Sequence, residues 1–188
     1  MKRRLFFWEA GGFFFTAAAG VLLHFVYRWS GGGALVAVVS SVNGSVWEQM
    51  KLLFLPLFLF SLVQLCREGR NYPNLLAVRS LSGLTGLLLI PILFYFYTGA
   101  LGLHLPWVDG VIFFLADLAL FCLDYRLLRR GRFSSLWQQL LGLVLLWGLV
   151  FCFVWCAFHP PALPLWQERA PQTAVLQRGL PHGNERFP

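Results

Sequence analysis

Charge is what this sequence has least of. Only 12% of its 188 residues are charged, against 58% hydrophobic, and the mean hydropathy is +0.66. A soluble domain of this length cannot hide so much apolar surface, so a water-soluble globule is excluded. Cysteine is scarce too: Cys66, Cys122, Cys152 and Cys156 all fall inside or at the ends of apolar runs. Cys152 and Cys156 share a helix face, but no second pair or adjacent histidine completes a zinc pattern, and all four read as buried, inert thiols. The net charge of +7 comes with no separate basic domain or recognised fingerprint. Its basic residues sit in short clusters between apolar runs, which speaks against a nucleic-acid partner and for topology determinants.

What is abundant is apolar length. A bilayer core of about 30 Å takes about 20 apolar residues of helix, and five runs approach that: 5–27, 46–66, 75–97, 106–125 and 136–158. The first follows "MKRR" like a secretion signal with "TAAAG" as its cleavage site, but Glu9 interrupts it and "VLLHFVY" prolongs it, so an uncleaved helix is expected. In the second, the uncharged part 52–66 has 15 residues, about 22 Å of helix, which draws Glu48 and Lys51 into the interface. Pro56 is expected to kink that helix and free a backbone carbonyl. Pro106 suits the first turn of the fourth helix, and "HPP" ends the fifth.

Basic residues set the orientation. Lys2, Arg3 and Arg4 precede the first run, Arg67, Arg70 and Arg79 lie between the second and third, and Arg126, Arg129, Arg130 and Arg132 lie between the fourth and fifth. These ends alternate, so the expectation is an all-α integral membrane bundle of five transmembrane helices in residues 1–158, N-terminus cytoplasmic and C-terminus outside. Residues 159–188 then form a polar, proline-rich extracytoplasmic tail, partly disordered.

With that topology, His24, Glu48, Lys51, His104, Asp109 and His159 arrive at the outer ends of four helices. Imidazoles and carboxylates at one level suit a divalent metal or acid–base chemistry, and helix ends also hold polar residues for purely structural reasons. The stretch "SSVNGSVWEQMKLLF" has such a structural account. Asn43 and Gly44 make a turn, Ser45 and Glu48 fit a capping box, and Trp47 and Lys51, four apart, are placed for a cation–π contact. Residues 43–45 also match a glycosylation acceptor, too close to the membrane to weigh heavily. Asp117 resists a structural account. It falls near the bilayer centre, with no basic residue expected at its depth, where a carboxylate is either a proton or cation carrier or a neutral acid bonded to a neighbouring helix. Asp124, beside Arg126, needs no special role.

The segments "VNGSVWEQMKLLFLPLFLF", "HLPWVDGVIFF" and "FHPPALPLWQE" together resemble an uncharacterised family of small multi-pass bacterial membrane proteins. That family has a Val-Asn-x-Ser-Val-Trp-Glu-x-x-Lys motif opening its second helix. Val42, Asn43, Ser45, Trp47, Glu48, Lys51, Asp109, Pro160, Pro161 and Pro164 match the family pattern. Gly44 and Gln49 stand where glutamate and histidine are expected, which weakens a metal site needing that histidine. The resemblance implies membrane location and names no activity.

The reading that results is a protein of the bacterial cytoplasmic membrane with an outward-facing polar pocket for a small polar solute, ion or lipid headgroup. Its binding residues are His24, Asn43, Glu48, Lys51, His104, Asp109 and Asp117. A membrane-embedded metal-dependent hydrolase, with a divalent metal on His24, Glu48, His104, Asp109 and His159, is the enzymatic alternative, and a structural or partner-stabilising subunit the third. The sequence leaves the oligomeric state open.

Overall fold

The computed structural model describes residues 2–31 and 33–167. The disordered part expected of the tail lies largely outside them. Six α-helices follow one another: α1 (Lys2–Trp29), α2 (Ala34–Val39), α3 (Val46–Glu68), α4 (Leu75–Leu101), α5 (Pro106–Arg130) and α6 (Leu136–Phe158), then a 3-10 turn at Pro164–Trp166. Among the described residues there is no strand. Four of these helices, α1, α3, α4 and α6, are long and apolar enough to cross a membrane. α5 is equally long but stands outside that group, and Asp109, Asp117 and Asp124 are buried along it.

The helices alternate in direction. Gly12 and Gly20 of α1 meet Phe121 and Phe113 of α5, Glu9 and Trp8 meet Gln64 and Glu68 of α3, and Tyr97 and Ser82 of α4 meet Asp109 and Asp124. Contacts between falling and rising residue numbers mean antiparallel neighbours. α1, α4 and α6 therefore begin at the end where α3 and α5 finish, the end that carries Arg3, Arg4, Arg67, Arg70 and Arg129 to Arg132. It is called the basic end below.

The packing is polar inside and apolar outside. Phe7, Phe96, Trp137 and Leu141 are exposed by about two thirds or more, while Glu9, Lys51, Gln64, Glu68, Arg79, Asp117 and Asp124 are buried. That inversion is stable where the surroundings are hydrocarbon, and together with the four apolar helices it marks a membrane protein. The apolar core gathers Leu53, Phe54 and Leu57 of α3, Ile90 of α4, Ala116 and Leu120 of α5 and Phe153 of α6. Glycine permits the closest approach: a Cβ on Gly142 of α6 would stand 2.7 Å from the Leu76 carbonyl of α4. The thiols correct an expectation, since Cys66, Cys122 and Cys152 face outward, not into the core.

Both internal prolines are absorbed by continuous helices, α3 across Pro56 and α4 across Pro91. Pro56 leaves the Leu52 carbonyl without its usual donor. Gly20 of α1 lies against that carbonyl, where a Cβ would approach to 3.1 Å. The segment expected to be a simple loop between the first two long helices also folds, in part, into the short helix α2.

Candidate functional site

The stretch 40–54 shows how local chemistry builds one wall of the site. Ser45 caps α3, its Oγ accepting from the Glu48 amide at 3.4 Å. The reciprocal half of the expected capping box is displaced. Asn43 Oδ1 already accepts from the Ser45 amide at 3.1 Å, so the Glu48 carboxylate reaches further back and accepts from the Val42 amide at 3.1 Å. Lys51 is fully buried; its Nζ lies 2.6 Å from Glu48 Oε2 and donates to the Ala37 carbonyl of α2 at 2.8 Å. The expected Trp47–Lys51 cation–π contact is thereby replaced. Trp47 is sandwiched between Phe153 of α6 and Trp166 of the 3-10 turn, at centroid distances of 4.6 and 4.4 Å.

Beside this wall opens a pocket of about 480 Å³. α1 contributes Gly20, His24, Phe25 and Arg28, the turn before α3 contributes Ser41 to Gly44, α3 contributes Gln49 and Leu52, and the start of α5 contributes Pro106, Asp109, Gly110 and Phe113. His104, between α4 and α5, closes it. Asp109 is held from two sides: Tyr97 donates its hydroxyl proton to Oδ1 at 2.8 Å, and His104 Nε2 lies 2.7 Å from Oδ2. A carboxylate accepts, so the His104 proton belongs on Nε2 and Nδ1 is left over. That Nδ1 is buried without a partner among the described residues, and so is Gln49 Oε1. A buried polar atom without a partner costs roughly 1–3 kcal/mol, and both of these belong to residues that line the cavity.

The sequence-derived residues therefore divide. His24, Asn43, His104 and Asp109 line the pocket, whereas Glu48 and Lys51 form its supporting wall, committed to each other and to backbone. His159 is not part of it; its ring stacks on Trp155. Among the described residues no group of three or more His, Cys, Asp or Glu side chains is placed to share a metal ion. Arg28 and Gln49 belong to the pocket and were not expected there. Gln49 had a signal, as the one polar residue of the opening turn of α3 left unassigned.

A second polar assembly lies deeper, nearer the basic end, and corrects two expectations at once. Arg79 is not an exposed topology charge, and Asp124 does have a special role. Arg79 Nη1 is 2.5 Å from Asp124 Oδ2, its Nη2 donates to Gln64 Oε1 and lies 3.4 Å from Glu9 Oε2, and its guanidinium packs over Phe121 and Phe60. Gln64 donates to Glu9 at 2.8 Å and Ser82 to Asp124 at 2.6 Å. Four helices meet in this cluster. Nearer the pocket, Asp117 is fully buried and pairs with Thr16 of α1, whose hydroxyl lies 2.7 and 2.9 Å from its two oxygens and 2.9 Å from the Gly12 carbonyl.

With this geometry in view, the comparison with known families is informative. A family of unknown function, DUF6512, matches residues 7–173. The chain belongs to that family. The match spans residues of every long helix, the pocket lining and the Pro164–Trp166 turn. No curated protein and no solved structure matches the chain.

Proposed function

We propose that this DUF6512 protein binds or translocates a small polar solute, ion or lipid headgroup through the pocket at the end away from its basic clusters. In this reading all five long helices cross a bacterial cytoplasmic membrane, the basic end is cytoplasmic, and the pocket faces out. The observation that carries it is the pair of buried, unpartnered atoms, Gln49 Oε1 and His104 Nδ1, on two residues that line one cavity of about 480 Å³. The buried charges of Lys51, Glu68 and Arg79 each lie in an ion pair, although Arg79 Nε makes no hydrogen bond among the described residues.

Asp117 is the proton or cation carrier of this reading. Thr16 has one hydroxyl proton and faces both Asp117 oxygens and the Gly12 carbonyl. An ionised Asp117 accepts a hydrogen bond from the Thr16 hydroxyl, and a protonated one donates to the Thr16 oxygen while Thr16 donates to the Gly12 carbonyl, so the pair accommodates the carboxyl with or without its proton. The metal-dependent hydrolase loses support, because the histidines and carboxylates it needs do not converge.

The test is the thermal stability of the full chain in an uncharged detergent against a panel of small ions, polar solutes and lipid headgroups. A ligand of the pocket raises the midpoint of the native protein and not that of Gly110→Phe, whose side chain extends into open space and fills the cavity. A panel that stabilises both proteins equally, or neither, refutes the reading.

A further inference from the structure

The chemistry of the pocket narrows its ligand, if the binding reading above holds. We infer that the pocket takes an anionic phosphate ester, held at its polar mouth by Arg28 and His24, with any apolar chain lying along Val21, Phe25 and Phe114.

Charge comes first. Asp109 is the one carboxylate of the lining, and its oxygens are already taken by Tyr97 and His104. Arg28 and His24 are exposed and have no ion-pair partner among the described residues. The first turns of α3 and α5 also open here, and the positive ends of their dipoles favour an anion. Direction comes second. The candidate donors are Arg28 and His24 on α1 and Asn43 on the 41–44 turn, so they approach from two separate elements. A tetrahedral phosphate offers acceptor oxygens in several directions, whereas a carboxylate offers two in one plane. Shape comes third. Val21, Phe25 and Phe114 line the cavity and are also exposed on the flank of the bundle, so the pocket is continuous with the lipid-facing surface between α1 and α5.

Two sources share this chemistry, a phospholipid headgroup and a free phosphate ester. The full chain in uncharged detergent is titrated with phosphatidylglycerol, glycerol phosphate, inorganic phosphate, diacylglycerol and oleate, for the native protein and for Arg28→Gln and Gly110→Phe. Arg28 is exposed, so Arg28→Gln is expected to fold normally. Binding of phosphatidylglycerol, weakened about tenfold by Arg28→Gln and abolished by Gly110→Phe, supports the inference with a lipid source. The same pattern with glycerol phosphate or inorganic phosphate binding equally well supports it with a soluble source. Equal binding of diacylglycerol or oleate, or no loss on Arg28→Gln, overturns it. If an uncharged solute binds instead and Gly110→Phe blocks it, the pocket reading survives and the phosphate inference fails; if nothing tested binds in a Gly110-dependent way, both fail.

Discussion

The protein holds two polar assemblies, and they are built on opposite terms. Around Arg79, charge is paired within the protein: one guanidinium, two carboxylates, an amide and a hydroxyl from four helices, all inaccessible, with Arg79 Nε left without a partner among the described residues. Around the pocket the account is left open, with Gln49 Oε1 and His104 Nδ1 buried and unpartnered beside space. In hydrocarbon a closed cluster fixes which helices pack and at what depth, because every alternative leaves a charge without a counter-charge. An open one leaves hydrogen-bonding capacity unused. Burial of charge alone therefore does not mark out the pocket; what marks it is that two unpartnered atoms belong to residues lining one cavity.

The sharpest way to break the comparison is to empty the closed cluster. Arg79→Leu leaves Glu9 and Asp124 buried without a cation, with an expected loss of about 3–5 kcal/mol, seen as a collapse of the thermal midpoint in detergent. Adding Glu9→Gln and Asp124→Asn should recover most of it. A single Arg79→Leu that melts like the native protein would show that the cluster is not closed.

Glu48→Gln comes next. A lost cap alone costs about 1 kcal/mol, but Lys51 is fully buried and relies on that carboxylate. The expected loss is about 3 kcal/mol, in the range for breaking a buried pair, and Lys51→Met in the same chain should return part of it. A loss of only the cap's size would move Lys51 out of the buried set.

Trp166→Ala removes the ring stacked on Trp47 and is expected to cost about 1–2 kcal/mol from stacking and uncovered area, read from the same melts. Smallest is Gln49→Leu. Removing an unpartnered polar atom should change stability by less than about 1 kcal/mol, in either direction, while weakening any ligand of the pocket. A large destabilisation there would mean that Gln49 is structural and that the contrast between the two assemblies is false.

The legibility of these features follows their range in sequence. The long helices, the cap at Ser45, the turn at Asn43 and Pro106 at the start of α5 rest on residues within one turn of each other, and periodicity or capping rules read them directly. Half of the pocket could be read in the same way, because His24, Asn43, His104 and Asp109 sit at helix ends of one polarity. Arg28 and Gln49 could not, since which side of α1 and α3 faces the cavity depends on packing against α5. The cluster around Arg79 was missed for a related reason. Glu9, Gln64, Arg79 and Asp124 each lie one to two turns in from the same end of the bundle, a match of depths that a residue-by-residue reading treats as four unrelated polar residues.

By itself the sequence determined that this chain belongs in a membrane, where its long helices run, and which of their ends carry the basic clusters. Those properties follow from composition and local order, which the bilayer reads one segment at a time. Only the tertiary structure decided that Lys51 supports the pocket and does not line it, that Arg79 is a core residue, and that Gln49 Oε1 and His104 Nδ1 are left without a partner among the described residues. In a low-dielectric interior the meaning of a polar residue is set by its partner, and partners more than 50 residues apart, such as Glu9 and Gln64 or Thr16 and Asp117, meet only when the helices pack.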